Sequence, residues 1–471
     1  MNAPITSLST VAIRFAGTLA GRLARTNQHS LLTVLAVLAF QHIAQAVVPA
    51  PDGGYPGGNT AEGSSALLSL TSGTYNTAIG LSSLTKNLVG NFNTAIGGAT
   101  LFNNSADSNT ATGAGALLSN TIAFQNTATG AFALFSNTTG SNNTAVGADA
   151  LFSNTDGFRN NAVGILALTA HQTGNFNNAF GSLALGSDVS GSSNDAFGDE
   201  ALRSNTTGSS NTAVGDLALQ ANNGSLNCAF GSQSLTANTT GDQNTAIGTN
   251  ALSSNTTGIN NTAVGMNALT QSTTGQANVA LGVGAGYFVT TASGVICIGA
   301  QGDNLDSTTW INGIYGTTTV SGITLPVVVS RDGQLGTVSS SRRFKRSIEP
   351  MGNASQGILA LKPVTFHYKS DETGTPQFGL IAEEVAEVSA DLVVRDENRK
   401  AYAVRYDAVN AMLLNEFLKE HRIVEQQGAT ISRLEKRIEL LTAGLQNIMT
   451  QIELSKDARQ TVLNERANRF P

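Results

Sequence analysis

Ser340 and Lys345 form a pair of side chains whose types and spacing suggest nucleophilic chemistry. A serine hydroxyl is a poor nucleophile until a neighbouring base takes its proton. Lysine serves as that base only when its pKa falls from about 10.4, through burial or through nearby cations. Arg342, Arg343 and Arg346 place such cations beside Lys345.

The expected reaction is a single cut of the chain by itself. Ser340 would attack the carbonyl of Ser339, and water would open the resulting ester. The cleavage site is therefore the bond between Ser339 and Ser340, and we expect no activity on other substrates. Without further support, a Ser-x-x-x-x-Lys pair has little specificity, and a basic linker is the competing interpretation.

The chain upstream of this pair is poor in charge. Of 471 residues, 12% are charged and 50 are glycine, with a net charge of -6, whereas about 25% charged residues is typical of globular proteins. Between Pro51 and Val320 there are three basic residues and thirteen acidic ones. This composition provides no basic patch for nucleic acid.

The upstream part repeats the motif Asn-Thr-Ala-Ile-Gly and its variants every 17 residues, with two steps of 16. A leucine follows eight residues after the motif's first position in twelve successive copies. The copies begin at Asn76, Asn93, Asn109, Asn126, Asn143, Asn160, Asn177, Asn194, Asn211, Asn227, Asn244, Asn261, Asn278 and, in a degenerate form, Val295.

This repeat predicts a parallel β-solenoid, because each copy is too short for a helical hairpin and its Gly and Asn oppose helix. We expect the Ala and the following Ile, Val or Phe to point into a narrow core, with the Ala-Leu pair as a second inward face. Stacked coils bury apolar surface that one coil cannot. Fourteen coils would form a rod about 65 Å long at ~4.8 Å per strand.

The repeat resembles the heads of trimeric autotransporter adhesins (YadA-like), where an Asn-x-x-Ala-Ile-Gly motif recurs along a left-handed parallel β-roll. Three such rolls pack into one trimer in that family. The resemblance covers residues 70–300. The period here is longer than the adhesin repeat, and no set of C-terminal membrane strands follows, so anchoring by a self-made pore is not expected.

Asn and Thr at fixed repeat positions predict ladders of side chains that hydrogen-bond from coil to coil. A regular Thr face also fits a ligand, a glycan, a host receptor or ice, which is an alternative function for the rod. No recurrent carboxylate pair suits polysaccharide cleavage, and no cluster suits a metal, so we predict no metal and no cofactor. Asp149, Asp195 and Asp216 are expected to keep the surface soluble.

The N-terminus has the order of an export signal. Three arginines precede an apolar run from Leu31 to Phe40, and a small-x-small site ends at Ala46. This pattern predicts a cleaved signal peptide over residues 1–46 and a secreted or cell-surface protein. The apolar run is shorter than the ~20 residues of a membrane span, so we expect no stable span after cleavage; an uncleaved anchor is the alternative.

Cys228 and Cys297 are the two cysteines, too few for a disulfide framework. Four coils separate them, which is roughly 19 Å at ~4.8 Å per strand and exceeds the ~7 Å Cα limit for a disulfide. We expect free, buried thiols. Farther along, the repeat is lost over residues 301–339, a predicted β neck in which the single Trp, Trp310, packs at the base of the rod.

Residues from Ser340 onward have the composition of an ordinary globular domain. The predicted elements are a turn and helix over Ser347 to Leu361, strands Pro363 to Tyr368 and Gln377 to Ile381, a helix Ala382 to Val388, a hairpin of Leu392 to Arg395 with Ala401 to Arg405, and a long helix from Tyr406.

The long helix carries an apolar seam of heptad period, which predicts a coiled coil. A single chain cannot bury such a seam, so it predicts an oligomer, and the β-roll resemblance favours three chains. The seam consists of Val424, Ile431, Ile438, Leu445 and Ile452 at one position and of Gln427, Leu434, Leu441 and Ile448 at the other.

Several blocks after Ser340 resemble the intramolecular chaperone auto-processing domain at the C-termini of phage tailspikes, endosialidases and neck appendages. The resemblance extends from Ser340 to Ile452. The blocks are Ser-Ser-x-Arg-Phe-Lys from Ser340, Ile348-Glu349-Pro350, Pro363-Val364-Thr365-Phe366-His367-Tyr368, Gly379-Leu380-Ile381-Ala382-Glu383-Glu384-Val385 and Tyr406-Asp407-Ala408-Val409.

This resemblance implies that the module helps the upstream fibre to trimerise and is then released by self-cleavage. It matches the family's nucleophilic serine to Ser340 and its lysine to Lys345. The next residue is commonly Asp in the family and is Ser341 here, which affects the expected rate. Glu383 and Glu384 either assist or simply begin a helix, where acidic residues are favoured.

The sequence thus predicts a mainly β homotrimer, a self-cleaving Ser/Lys endopeptidase in a structural, adhesive fibre. The alternative is a ligand-, glycan- or ice-binding solenoid whose trimerisation module stays attached. The predicted segments are a signal peptide (1–46), a linker (47–69), a β-roll rod (70–300), a β neck (301–339), an auto-processing chaperone domain (340–422), a coiled coil (423–455) and a tail (456–471).

Overall fold

The structure is a computed structural model that describes residues 55–467. The predicted signal peptide and the last residues of the tail lie outside this range. The described residues divide into two compact units, with the boundary between Val320 and Ser321, and each is described by itself.

The first unit is a parallel β-solenoid, as predicted. Its 16 strands form one sheet in sequence order, and every strand has three residues. The strands are β1 Thr60–Glu62, β2 Thr77–Ile79, β3 Thr94–Ile96, β4 Thr110–Thr112, β5 Thr127–Thr129, β6 Thr144–Val146, β7 Asn161–Val163, β8 Asn178–Phe180, β9 Asp195–Phe197, β10 Thr212–Val214, β11 Cys228–Phe230, β12 Thr245–Ile247, β13 Thr262–Val264, β14 Val279–Leu281, β15 Ile296–Ile298 and β16 Thr309–Ile311.

The solenoid core is made of alanine and leucine. The middle residue of strands β2 to β14 is a fully buried alanine, such as Ala78 or Ala179, and the repeat leucines, such as Leu84, are also fully buried. The prediction that the Ile, Val or Phe after the alanine also points inward was wrong, since Ile79 is 40% exposed. Side chains alternate between the two faces of a strand, so an inward alanine turns both of its neighbours outward.

Two ladders of buried asparagine follow the core, which confirms the predicted coil-to-coil hydrogen bonds. In the first, the Asn before each strand accepts from the backbone of the next Asn, as Asn76 Oδ1 does from Asn93 N at 3.0 Å. In the second, Asn137 Nδ2 donates to Asn120 Oδ1 at 2.9 Å and to the carbonyl oxygen of Gly140 at 2.9 Å. These buried side-chain amides therefore have hydrogen-bond partners.

The glycine after each strand is required by close approach of neighbouring coils. At Gly181 the backbone has φ of 147°, and a Cβ there would lie 2.1 Å from the carbonyl oxygen of Gly198. Residues with side chains rarely adopt such φ values. The buried leucines also have positive φ, for example 53° at Leu185, a conformation that nothing in a leucine signals in advance.

The sheet extends beyond the motif-based repeats at both ends. Strand β16 pairs with β15 although the sequence period has been lost, with Trp310 opposite Cys297. Trp310 is 37% exposed, and its Nε1 donates to Thr308 Oγ1 at 2.9 Å. Cys228 and Cys297 are both free thiols, as expected, with Cys297 buried and Cys228 half-buried. Burial raises the pKa of both thiols.

The second unit begins with a small hairpin and continues into an α+β domain. The predicted strands, the short helix and the start of the long helix are confirmed, whereas residues 347–361 form turns and a 3₁₀ helix. The elements are β17 Val328–Val329, β18 Leu335–Gly336, 3₁₀ helices Arg342–Phe344, Gln356–Ala360 and Ala390–Leu392, β19 Val364–Phe366, β20 Gln377–Gly379, α1 Ala382–Val388, β21 Val393–Arg395, β22 Ala401–Val404 and α2 Tyr406–Ala467.

Helix α2 is 62 residues long and presents its apolar seam to solvent. Ile431 is 55% exposed, Leu434 53% and Ile438 61%. Within the described residues no helix is long and apolar enough to cross a membrane.

Candidate processing site

The predicted dyad lies on exposed chain at the start of the 3₁₀ helix Arg342–Phe344. Ser340 and Lys345 are both exposed, and Lys345 follows the helix in extended backbone, at φ -119° and ψ 146°. The local fold is held by short-range hydrogen bonds, including one from Ser341 N to Ser339 Oγ at 3.2 Å. The helix supplies a compact turn between the hydroxyl and the amine.

The isolated chain does not assemble the dyad for catalysis. Within the described residues no hydrogen bond joins Ser340 to Lys345, and the exposed Lys345 amine faces water. The Arg343 guanidinium lies over the ring of Phe344, at 4.6 Å from its centroid. The assignment of Ser340 and Lys345 as catalytic residues stays a prediction.

The domain that follows is built on a small apolar cluster. Val385 on α1 packs with Leu392 and Val393, which are all buried. Tyr406, the first residue of α2, accepts a hydrogen bond from Leu380 N at 3.0 Å. A Cβ at Gly379 would lie 2.8 Å from the Tyr406 hydroxyl oxygen, so the absence of a side chain there permits this attachment of the long helix.

A polar cluster that sequence analysis missed fastens the 3₁₀ helix Gln356–Ala360 to α2. Ser355, fully buried, donates to Glu416 Oε1, and Asn415 Nδ2 donates to Ser355 Oγ at 2.6 Å. Lys419 Nζ donates to Glu416 Oε1 at 2.7 Å. The hydrogen bonds from Lys419 and then from Ser355 hold the pKa of Glu416 below its usual value. Full burial of Ser355 keeps any substrate from it, so the cluster acts as an attachment.

The turn between β19 and β20 is closed by Asp371. Its Oδ1 accepts from Thr373 Oγ1 at 2.6 Å, and its Oδ2 accepts from Thr375 N at 2.9 Å. Hydrogen bonds from Thr373 and then Thr375 lower the pKa of Asp371 to about 2. Glu383 and Glu384 are exposed in the first turn of α1, the position where carboxylates favour helix initiation.

One family model, described as "Chaperone of endosialidase", matches residues 340–394. The matched segment begins at Ser340 itself and ends within β21. These residues form a chaperone-of-endosialidase domain. With the β-solenoid upstream, the chain corresponds to a fibre of the endosialidase or tailspike type that carries this chaperone domain near its C-terminus.

The chaperone domain is the part of the chain for which a relationship is established. No curated protein and no solved structure matches the chain. Within residues 55–467 no group of three or more His, Cys, Asp or Glu side chains is placed to hold a metal ion.

Proposed function

We propose that this chain is a secreted or cell-surface homotrimeric fibre. Its chaperone domain drives trimerisation and is then released by cleavage between Ser339 and Ser340. The observation that carries the proposal is the family match, which starts at the residue that would become the new N-terminus. Ser340 and Lys345 both lie within the matched segment, which supports the proposal over the alternative of a basic linker.

Trimerisation is supported by the unpartnered seam of α2. An apolar a/d seam that stands in water on one chain is buried when helices of several chains associate. Leu445 and Ile448 on this seam are 62% and 56% exposed. Gly428 and Gly444 weaken α2 as an isolated helix, since glycine costs about 1 kcal/mol relative to alanine, so association has to stabilise it.

The proposed cleavage balances with one water. Lys345 takes the hydroxyl proton of Ser340 while Ser340 Oγ attacks the carbonyl carbon of Ser339. The peptide C–N bond breaks, the nitrogen of Ser340 receives the proton, and an ester joins Ser339 to Ser340 Oγ. Water then hydrolyses the ester to a carboxylate at Ser339 and a free Ser340. Exposure of Lys345 in the single chain fits a reaction that waits for assembly to remove water from the amine.

The test is the size of the purified full chain on a denaturing gel, with mass spectrometry of the fragments. We expect a large N-terminal fragment ending at Ser339 and a C-terminal fragment from Ser340 to Pro471. Ser340→Ala and Lys345→Ala should each leave the chain whole. The matched controls Ser370→Ala and Lys369→Ala change an exposed serine and lysine of the same domain and should be cut like the wild type.

An intact wild-type chain would reject self-cleavage. If that intact chain is trimeric by light scattering, the uncleaved, ligand-binding solenoid becomes the better function. Its Thr face is real but broken: the first residue of successive strands is Thr from Thr77 to Thr144, and then Asn161, Asn178 and Asp195 interrupt the row. A monomeric chain would reject the fibre in either form.

A further inference from the structure

The two ends of the solenoid differ from its middle at one buried position of the repeat. From Asn87 to Ser272 every residue at the second-ladder position is polar and buried. The coil before Asn87 has Leu70 at this position, and the coil after Ser272 has Val289, as their equivalent backbone hydrogen bonds show. A buried amide needs hydrogen-bond partners, and a terminal coil has a neighbour on one side only. An apolar residue therefore suits each end of the ladder.

The C-terminal end of the apolar core is covered by the chain that follows it. Val289 is fully buried, and Cys297 is 1% exposed. The backbone of Gly302 passes over both side chains, since a Cβ there would lie 2.5 Å from Cys297 Sγ and 3.4 Å from Val289 Cγ2. Strand β16 then places Trp310 opposite Cys297. An apolar ladder end is thus covered by the adjoining segment of the same chain.

The N-terminal end has the same apolar character and is open among the described residues. Ala61 on β1 is half-buried, although its counterparts on β2 to β14 are fully buried, and Ala66 and Leu70 are half-buried too. Leu67 is 8% exposed, whereas Leu84, its counterpart on the next coil, is fully buried. Ala61, Ala66, Leu67 and Leu70 line a cavity of about 430 Å³ at this end.

The chain that leads into this cavity is apolar. Tyr55, the first described residue, lines the cavity and pairs with Asn59 in an antiparallel bridge. At ~3.3 Å per residue the eight residues before Tyr55 reach up to about 26 Å. Their prolines have no N–H, so burial would leave fewer donors without a partner. These eight residues are Val47, Val48, Pro49, Ala50, Pro51, Asp52, Gly53 and Gly54.

We propose that residues 47–51 fold back over the cavity and cover the N-terminal end of the solenoid of their own chain. Val48 then packs against Leu70, in the role that Trp310 has at the other end. The segment is joined to the cavity through Gly53 and Gly54, which permit a reversal of the chain. This tether gives the segment a high effective concentration at the cavity. Neither trimerisation nor self-cleavage is needed for this cover.

The cover has a consequence for association of the rods. Strand β1 pairs with β2 on one side only, and an uncovered edge strand is a template for pairing with another chain. Solenoids accordingly need terminal repeats that close their ends. Residues 47–51 would close the apolar end of the core beside this edge, and so oppose end-to-end stacking of rods.

The test is disulfide formation in the purified full chain. Cys228→Thr removes the half-buried thiol, and Cys297 stays buried. One variant adds Val48→Cys with Leu70→Cys. Its matched control adds Val48→Cys with Leu81→Cys, since Leu81 is 40% exposed on the next coil and lies outside the cavity. A disulfide needs Cα atoms within about 7 Å, so oxidation reports direct contact.

We expect a disulfide within one chain for Val48→Cys with Leu70→Cys, and at least tenfold less in the control. Digestion after Glu62 leaves the two halves joined only by this disulfide, which mass spectrometry detects, and a non-reducing gel shows whether the link joins one chain or two. Absence of the link, equal linkage in the control, or linkage between two chains overturns the inference. So does a purified chain whose intact mass shows that residues 47–51 have been removed.

A second measurement avoids cysteine. Val47→Asp with Val48→Asp places carboxylates against an apolar cavity, and we expect the amides of β1 to exchange hydrogen at least tenfold faster while those of β8 stay unchanged. Val47→Ile with Val48→Ile should keep the wild-type rates. Leu68→Asp, at a 69% exposed position of the first coil outside the cavity, should keep them as well. Unchanged exchange of β1 in the aspartate variant would contradict the cover.

Discussion

His171 and Asp188 face each other across neighbouring coils of the solenoid, with 2.6 Å between Nδ1 and Oδ2 and no exposure of either side chain. Nε2 of His171 lies 2.8 Å from the carbonyl oxygen of Gly174. Both ring nitrogens of His171 thus lie within hydrogen-bonding distance of an oxygen atom. The pair replaces two successive asparagines of the second ladder.

The replacement leaves a buried polar atom without a partner on the preceding coil. Asn154 Oδ1 is buried and has no hydrogen-bond partner within residues 55–467, because the ring nitrogens of His171 lie against Asp188 and Gly174 instead. On the other side the ladder resumes, since Asn205 Nδ2 donates to Asp188 Oδ1 at 2.8 Å. The pair is thus one interruption of the second ladder; Ser272, at the repeat position after Asn255, is another, since Asn255 Oδ1 and Ser272 Oγ are also buried without a partner among the described residues.

Restoring the ladder provides the first prediction. His171→Asn or Asp188→Asn alone removes one partner of a buried pair, and we expect each to lower the free energy of unfolding by about 3–5 kcal/mol. The double variant returns the native repeat and supplies a donor for Asn154, so it should be at least as stable as the wild type. Thermal unfolding followed by circular dichroism measures all three. A double variant that is less stable than either single one would contradict the ladder.

Close packing of the coils predicts the effect of a single methyl group. Gly181→Ala brings Cβ against the Gly198 carbonyl and forces alanine to a positive φ, so we expect a loss of about 2 kcal/mol or more. Gly98→Ala is the matched control, because its nearest contact would be 3.9 Å away, and its effect should stay within ~0.5 kcal/mol. Equal melting temperatures for the two variants would rule out the contact as the cause.

The attachment of Ser355 to α2 predicts a pH dependence. A carboxylate whose pKa is lower in the folded state adds stability that is complete above its unfolded pKa, about 4.3 for Glu, and that disappears as the pH falls through the folded value. Glu416 is such a group, so the C-terminal unit should become easier to unfold by urea below that pH.

Glu416→Gln should reduce the loss of stability at acid pH, and it should lower the free energy of unfolding near neutral pH. The Ser340→Ala background keeps the two units on one chain during the titration. Glu420→Gln, an exposed substitution on the same helix, is the control and should keep the wild-type profile. If Glu416→Gln loses as much stability at acid pH as the wild type, other carboxylates cause the pH dependence.

The α2 seam predicts the oligomeric state. Leu434→Lys with Leu441→Lys places charge at two seam positions, where burial would remove it from water at large cost, and should yield monomers or weak oligomers by light scattering. Ala429→Lys with Ala443→Lys adds the same charge on the opposite side of the heptad and should leave assembly intact. A trimer that survives the first pair would exclude the seam as its main interface.

Much of the fold could be predicted from the sequence because interactions within and between adjacent repeats determine the solenoid. The period of the Asn motif predicted the parallel sheet, and the Ala and Leu positions predicted the core. The direction of Ile79 was missed because a three-residue strand has room for one inward side chain, a length that the repeat does not reveal. His171 and Asp188 could have been found, since both fall on the repeat position that Asn137 occupies.

The candidate site was less accessible from sequence. Ser355 and Glu416 are 61 residues apart, and their hydrogen bond depends on how the domain folds back on α2, which no local pattern encodes. The assignment of Ser340 and Lys345 drew on ordered sequence blocks rather than on spacing alone. Within the described residues no hydrogen bond joins the exposed Ser340 and Lys345, so their catalytic roles stay a prediction.

Each coil of the solenoid touches only the coil before and the coil after it, so the fold does not limit the number of coils. Gain or loss of one 17-residue unit moves the two ends by about one strand spacing, ~4.8 Å, without disturbing any other part. Duplication or deletion of a short DNA segment can therefore change the length of the solenoid in equal steps. Unequal recombination between near-identical units would supply such length variants within one population.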